Sequence, residues 1–190
     1  MAPILGIYAS GQQSSNLPNS YEAIATVTVG SGGASSITFS SIPQTYAHLQ
    51  IRGIDQQYYG VNDRGYTAVQ FNGSTSSIYS RHQLWATGGS PNAYATTANN
   101  YGYCGFSALV GPTPRSQYFA LNIIDILDYT NTNKYKTVRG FGGQDFNGSG
   151  DVGIVTSMWP NTAAITSIVI PGINGTFQQN STYTLYGIKG

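Results

Sequence analysis

Charged side chains are scarce in this chain of 190 residues. They make up 8% of the residues, whereas ordinary soluble domains carry about 25%. The formal net charge is +1, and the few lysines and arginines form no cluster that could neutralise a nucleic-acid backbone. We therefore expect no nucleic acid as a partner. So little charge protects a domain poorly against association, which favours a protein that works in a symmetric assembly. A solitary β domain with a neutral surface of the extracellular type is the alternative.

Cysteine and long apolar segments are also nearly missing. Cys104 is the only cysteine, so the chain has no internal disulfide, and its apolar neighbours predict a buried, unreactive thiol. No apolar stretch is long enough to span a bilayer. The apolar start, residues 1–7, is short, lacks a basic segment and contains a proline, which argues against a secretory signal. We expect no membrane partner, and either residence in the cytoplasm or exit by another route.

Strong helix formers are rare, while β-branched residues, serine, 15 tyrosines and 24 glycines are plentiful. Such residues favour pleated strands and tight turns. Short alternating segments without a helical stripe predict an all-β fold, an antiparallel β-sandwich of the jelly-roll type with about nine or ten strands. Residues 21–190 are predicted to form a single domain. Residues 1–20, which are rich in serine, glutamine, asparagine and glycine, are predicted to be an N-terminal arm.

The alternation places individual strands and turns along the chain. Residues 24–29 and 36–39 are predicted to pair as a hairpin. Asn72 and Gly73 predict a tight turn. Residues 55–65 and 87–101 are interpreted as polar loops, and residues 78–85 fit a short strand or one helical turn equally well. Further strands are predicted over residues 48–52, 67–71, 106–110, 118–127, 135–141, 152–158, 165–170 and 182–188.

No arrangement of residues typical of an enzyme is found, and we predict no catalytic residue and no cofactor. His48 and His82 are each isolated in sequence, which is typical of hydrogen-bonded structural histidines. Asp125 and Asp128 are close enough in sequence to suggest the two carboxylates of a glycosidase. We favour a structural role instead, either an internal salt bridge of Asp125 with Arg52 or Arg139, or a cap at the end of a strand.

One segment has the alternating oxygen ligands of a calcium loop. Asp145, Asn147, Ser149 and Asp151 carry those oxygens, and Gly150 lies where such a loop bends sharply. The bidentate glutamate that an EF-hand needs is replaced by Thr156. A glycine-rich turn between two strands explains the same residues, because Asp and Asn favour turn geometry. We predict no metal and keep this segment as a weak calcium candidate.

Tyrosines gather in the two predicted polar loops. Tyrosine combined with Ser, Asn and Gly forms adaptable recognition surfaces, because its large ring loses little entropy on binding. Both a glycan site and contacts between subunits account for this pattern, and we favour subunit contacts. The candidate contact residues are Tyr58, Tyr59, Tyr66, Tyr94, Tyr101 and Tyr103.

Several segments resemble a group of small structural proteins encoded by tailed bacteriophages. They extend over nearly the whole chain, and the loops between them are variable. The segments that carry the resemblance are residues 1–7, 25–30, 37–43, 48–52, 124–137 and 183–189.

The resemblance implies a component of the virion that is assembled in the host cytoplasm. Cement proteins of this size are often β-sandwich trimers on the capsid surface, so we expect a non-enzymatic homotrimer that binds the major capsid protein or other virion proteins. The alternative is a receptor-binding module of a tail fibre or head fibre that holds a host glycan through the tyrosines. The residues 1–20 arm is the expected capsid anchor.

Overall fold

The computed structural model describes residues 20–60, 63–111 and 117–190, apart from the side chain of Asp63. Residues 1–19 of the predicted arm therefore lie outside the described residues, and the arm stays a prediction.

The described residues form 13 strands and no helix, which confirms the all-β prediction. The strands outnumber the nine or ten predicted, because residues 79–87, 90–99 and 176–177, none of which was predicted as a definite strand, also pair. The strands are β1 (Tyr21–Thr28), β2 (Ser36–Phe39), β3 (His48–Tyr58), β4 (Asp63–Phe71), β5 (Tyr79–Thr87), β6 (Ser90–Asn99), β7 (Gly102–Val110), β8 (Ala120–Leu127), β9 (Lys136–Asp145), β10 (Gly150–Trp159), β11 (Ile168–Pro171), β12 (Thr176–Phe177) and β13 (Thr182–Ile188).

All the strands belong to one open, mixed sheet. Its longest path runs β2-β11-β4-β7-β3-β8-β9-β10-β5-β6, with β12 and β13 also paired to β3, and β1 paired to β13. The first part of β3 lies between β8 and β13, while its last residues pair with β7 and β12. Since β3 belongs to both parts, the strands do not separate into two hydrogen-bonded sheets, and the predicted sandwich is not confirmed.

The pairing of β3 with β7 is parallel, so the prediction of a wholly antiparallel sheet is wrong. The parallel pairing covers Gln56 to Tyr58 of β3. The pairing of β3 with β8 ends at Asp55, so the backbone groups of the following residues need another neighbour. The described residues show no second parallel pair. β7 then packs across β8, β9 and β10. This packing is close, since a Cβ atom added at Gly140 would overlap the carbonyl oxygen of Cys104.

The predicted hairpin of residues 24–29 with 36–39 is wrong. β1 pairs with β13, and β2 pairs with β11. Alternation identifies the buried face of a strand but carries no information about its partner.

Both predicted polar loops are mainly strand. Residues 55–65 include the end of β3 and the start of β4, and residues 87–101 contain β6. β6 forms a hairpin with β5 and is exposed along most of its length, which explains its polar sequence. The ambiguous residues 78–85 lie almost entirely within strand β5.

The tight turn at Asn72 and Gly73 is confirmed. Both residues have a positive φ, 51° and 70°, and the amide of Ser74 donates to the carbonyl of Phe71 at 2.9 Å. This conformation favours Asn and Gly because neither has a bulky branched side chain.

Candidate functional site

Three of the six candidate tyrosines surround the guanidinium of Arg81, and a fourth packs against one of them. The Cζ atom of Arg81 lies 3.9 Å from the ring centre of Tyr103, 4.8 Å from that of Tyr94 and 5.1 Å from that of Tyr66. Tyr101 packs edge-on against Tyr103 at 5.8 Å. The negative faces of the rings stabilise the cation. Burial raises the pKa of Tyr103, although the charge of Arg81 acts in the opposite direction.

Strand geometry explains why these side chains meet. Residues 81, 83 and 85 alternate along β5, so their side chains share one face of the strand. Gln83 is paired with Tyr94 of β6, and Tyr66 of β4 packs edge-on against Tyr103 of β7 at 5.5 Å. Arg64 lies 5.5 Å from the ring of Trp85. The β5–β6 hairpin and the β4–β7 pair therefore each supply part of the cluster.

Several polar atoms in this cluster are buried without a hydrogen-bond partner. They are both amide atoms of Gln83, Nε and Nη1 of Arg81, and Nε1 of Trp85. Gln83 is only 5% exposed. In the part of the chain that the structure describes, no carboxylate lies within ion-pair distance of Arg81. Buried polar groups are normally satisfied, so an unsatisfied set needs an explanation. We call Arg81, Gln83, Trp85 and the four tyrosines the Arg81 cluster.

The other two candidate tyrosines lie elsewhere. Tyr58 ends β3, where it is paired with Val110 and Thr176. The amide of Tyr59 donates to the carbonyl of Val110 at 3.0 Å. Their side chains are 45% and 59% exposed. These two residues therefore form a separate exposed surface at the tip of β3.

A second feature is an apolar surface that includes the other side of β5 and extends over β10, β9, β8 and β3. The register aligns Phe141 with Ile154, Ile154 with Leu84, and Leu121 with Ile54. Each side chain of this surface is between 47% and 59% exposed. Exposed apolar patches of such extent mark interaction sites. We call this surface the outward face; it consists of Ile54, Leu84, Leu121, Phe141, Val152 and Ile154.

A groove of about 580 Å³ crosses the outward face above Gly143. Gly143 is paired with Leu121 on one side and Val152 on the other, and it has no side chain to fill the space between them. Phe141 and Phe119 also line the groove. The groove therefore lets an apolar side chain of another molecule enter the surface.

The weak calcium candidate forms the turn between β9 and β10. The carboxylate of Asp145 accepts a hydrogen bond from the amide of Asn147 at 2.7 Å, and the amide of Phe146 donates to the carbonyl of Ser149 at 2.7 Å. Asp151 is only 8% exposed and accepts a hydrogen bond from Arg64 at 2.9 Å. The two aspartates lie on opposite faces of the hairpin, one exposed and one buried. Among the described residues, no three His, Cys, Asp or Glu side chains gather as metal ligands.

A buried polar network surrounds Asp55, which sequence reasoning did not single out. Asp55 is fully buried and accepts hydrogen bonds from the hydroxyl of Ser107 and from Nδ2 of Asn122, the latter at 3.1 Å. Burial raises its pKa to about 6, although the hydrogen bond from Ser107 acts in the opposite direction. Asn122 also binds the amide and the carbonyl of Phe106, at 2.9 Å and 2.7 Å. The network therefore joins β3 and β8 to β7.

The remaining residues have structural roles. Cys104 is fully buried and burial raises the pKa of its thiol, as predicted for an unreactive cysteine. Nδ1 of His48 accepts a hydrogen bond from the amide of Asp128 at 3.0 Å, which confirms a structural histidine. Asp125 forms an ion pair with Arg139 at 2.7 Å, which confirms the predicted partner, but Arg139 is 66% exposed, so the pair lies at the surface and is not internal. His82 is paired with Thr156 on the outer side of β5.

Comparison of the chain with protein families, with curated proteins and with solved structures finds no match. The resemblance to phage virion proteins therefore stays a prediction. Within the described residues, the structure contains no helix long and apolar enough to cross a bilayer.

Proposed function

We propose that this chain is a non-enzymatic structural subunit of a virion, and specifically a capsid cement or decoration protein. The observation that supports this proposal is the outward face. Six large apolar side chains, each about half exposed, lie next to one another on a rigid sheet. A contiguous exposed apolar surface of this kind is uncommon on a monomer and marks an interaction site.

In this proposal the outward face binds neighbouring subunits of the major capsid protein. Such a protein binds the assembled lattice and not the free subunit, so it stabilises the lattice by mass action. The groove above Gly143 receives an apolar side chain of the capsid and fixes the orientation of the contact. We further propose that the two parts of the sheet joined by β3 act as a jelly-roll-like sandwich. Three copies form a homotrimer, and the residues 1–20 arm anchors each copy.

The proposal is tested first on purified particles. Immunogold electron microscopy with an antibody against this chain should place gold over the head. Gold confined to the tail would contradict the cement role and would favour the receptor-binding alternative.

A second experiment tests the outward face itself. The double variant Phe141→Ser and Ile154→Ser removes two paired side chains of that face, and it should reduce binding to capsids that lack this protein by at least about tenfold, because roughly a third of the apolar contact is lost. Tyr135→Ser is the matched control, since Tyr135 is 55% exposed and lies outside the outward face. Undiminished binding by the double variant would show that another surface binds the capsid.

A further inference from the structure

We propose that the Arg81 cluster is a binding site for an acidic carbohydrate, meaning a glycan that carries a uronic or sialic acid. This function goes beyond lattice binding and does not depend on it, because the Arg81 cluster and the outward face lie on opposite sides of β5. Leu84, in the outward face, is 59% exposed, whereas its neighbour Gln83 is 5% exposed.

The unpartnered atoms define what the ligand must offer. Nε and Nη1 of Arg81, Nε1 of Trp85 and Nε2 of Gln83 are donors, so they need acceptors. Oε1 of Gln83 is an acceptor and needs a donor. A hydroxyl group both donates and accepts, so a polyhydroxylated ligand satisfies the whole set. An apolar ligand would leave each of these atoms unsatisfied, which is unfavourable.

The charge of the site selects an acid among such ligands. Arg81 supplies a guanidinium, which matches the planar geometry of a carboxylate. In the residues that the structure describes, Asp151 lies on β10 opposite Thr87 of β5 and is paired with Arg64 at 2.9 Å. A carboxylate on the ligand supplies the counter-charge that Arg81 lacks, and charge-assisted hydrogen bonds of this kind are the strong ones.

The tyrosines supply the walls and the route of entry. Tyr94 is 48% exposed and belongs to β6, the edge strand of the sheet. Its ring covers Arg81 at 4.8 Å, so an outward rotation of this one side chain opens the way to the guanidinium. Tyr101 and Tyr103 then remain as ring faces against which a sugar packs, with large contact area at low entropy loss.

The test uses an immobilised panel of oligosaccharides that carry galacturonic, glucuronic or sialic acid, each beside its neutral counterpart. The full chain should bind one or more of the acidic members and none of the neutral ones. Gln83→Leu should weaken that binding by at least about tenfold, since it removes the two hydrogen bonds that the amide would form with the ligand. The same substitution should leave the urea midpoint unchanged or raised, because it deletes two unsatisfied polar atoms and keeps the shape.

Gln50→Leu is the matched control. Gln50 is also buried, at 8% exposed, but its amide is satisfied by Asp125 at 2.8 Å and by Arg52 at 2.9 Å. This variant should lose stability and keep the binding. Arg81→Gln provides a second test and should abolish the preference for acids.

Several results would overturn the proposal. They are no binding to any acidic member, equal binding to the neutral members, full binding by Gln83→Leu, and equally tight binding of a tetraglutamate peptide. None of these results bears on capsid binding, which the outward-face variants test separately.

Discussion

Asp55→Asn should change how the stability of this protein depends on pH. Asp55 is fully buried, and burial raises its pKa from 3.8 to about 6. A pKa that is higher in the folded state means that folding favours the protonated acid. The stabilisation is therefore complete below pH 3.8 and is lost as the pH rises through about 6. A shift of about two pK units corresponds to about 3 kcal/mol in the free energy of unfolding.

Asparagine has nearly the same shape as aspartic acid and stays neutral at every pH. The hydroxyl of Ser107, which donates to Asp55, can instead accept a hydrogen bond from the new amide. Between about pH 4 and about pH 7 the native protein should lose about 3 kcal/mol in the free energy of unfolding through Asp55, and the variant should not. The unfolding free energy of the variant minus that of the native protein should therefore rise by the same amount. Urea titrations at several pH values, analysed with a common slope, measure this difference.

Asp128→Asn is the control with the opposite sign. The side chain of Asp128 is 42% exposed, and its hydrogen bond from Lys134 lowers its pKa. Its contribution to the stability of the native protein is therefore present at neutral pH and is lost as the pH falls. The unfolding free energy of Asp128→Asn minus that of the native protein should therefore fall as the pH rises. If the native protein and Asp55→Asn give parallel curves of stability against pH, the argument from the buried carboxylate is refuted.

Three further predictions test the packing. Gly140→Ala should prevent stable folding, with a loss above about 4 kcal/mol in the free energy of unfolding, because its Cβ would overlap the carbonyl of Cys104. The control Gly32→Ala should fold normally, because a Cβ at Gly32 meets nothing within 4 Å. Circular dichroism distinguishes the two outcomes. Lys136→Met should lower the free energy of unfolding by about 3 kcal/mol in urea titrations, since its ammonium group donates to the carbonyls of Asn131, Lys134 and Thr162; a loss below about 1 kcal/mol would contradict that role. The Cys104 thiol should react with a maleimide only in urea, and rapid labelling of the native protein would contradict its burial.

The sequence predicted the type of fold better than its connections. Alternation located most strands, because one side of most strands is buried in the core while the other side is exposed. It missed β6, since a strand exposed on nearly every residue shows no alternation of polarity. It also assigned a false partner to β1, because the true partner, β13, lies at the other end of the described chain.

The candidate site was predicted in part. The sequence singled out the tyrosines because their number is unusual, and four of them do meet. It gave no sign of Arg81 as their centre, because pairing between strands that are distant in sequence brings the rings to that cation. The outward face was missed for another reason. A run such as residues 123–127 places apolar side chains on both sides of the strand, and only the packing of the layers shows which side stays exposed.

The position of β13 has a consequence for the synthesis of the protein. β13 lies between β1 and β3, so the first strand of the described chain has no hydrogen-bonded neighbour until the last strand is made. Contacts this distant in sequence form slowly. While the ribosome extends the chain, the edge of β1 stays available to other strands, and unpaired edges favour aggregation. We expect nascent chains that stop before residue 182 to need a chaperone.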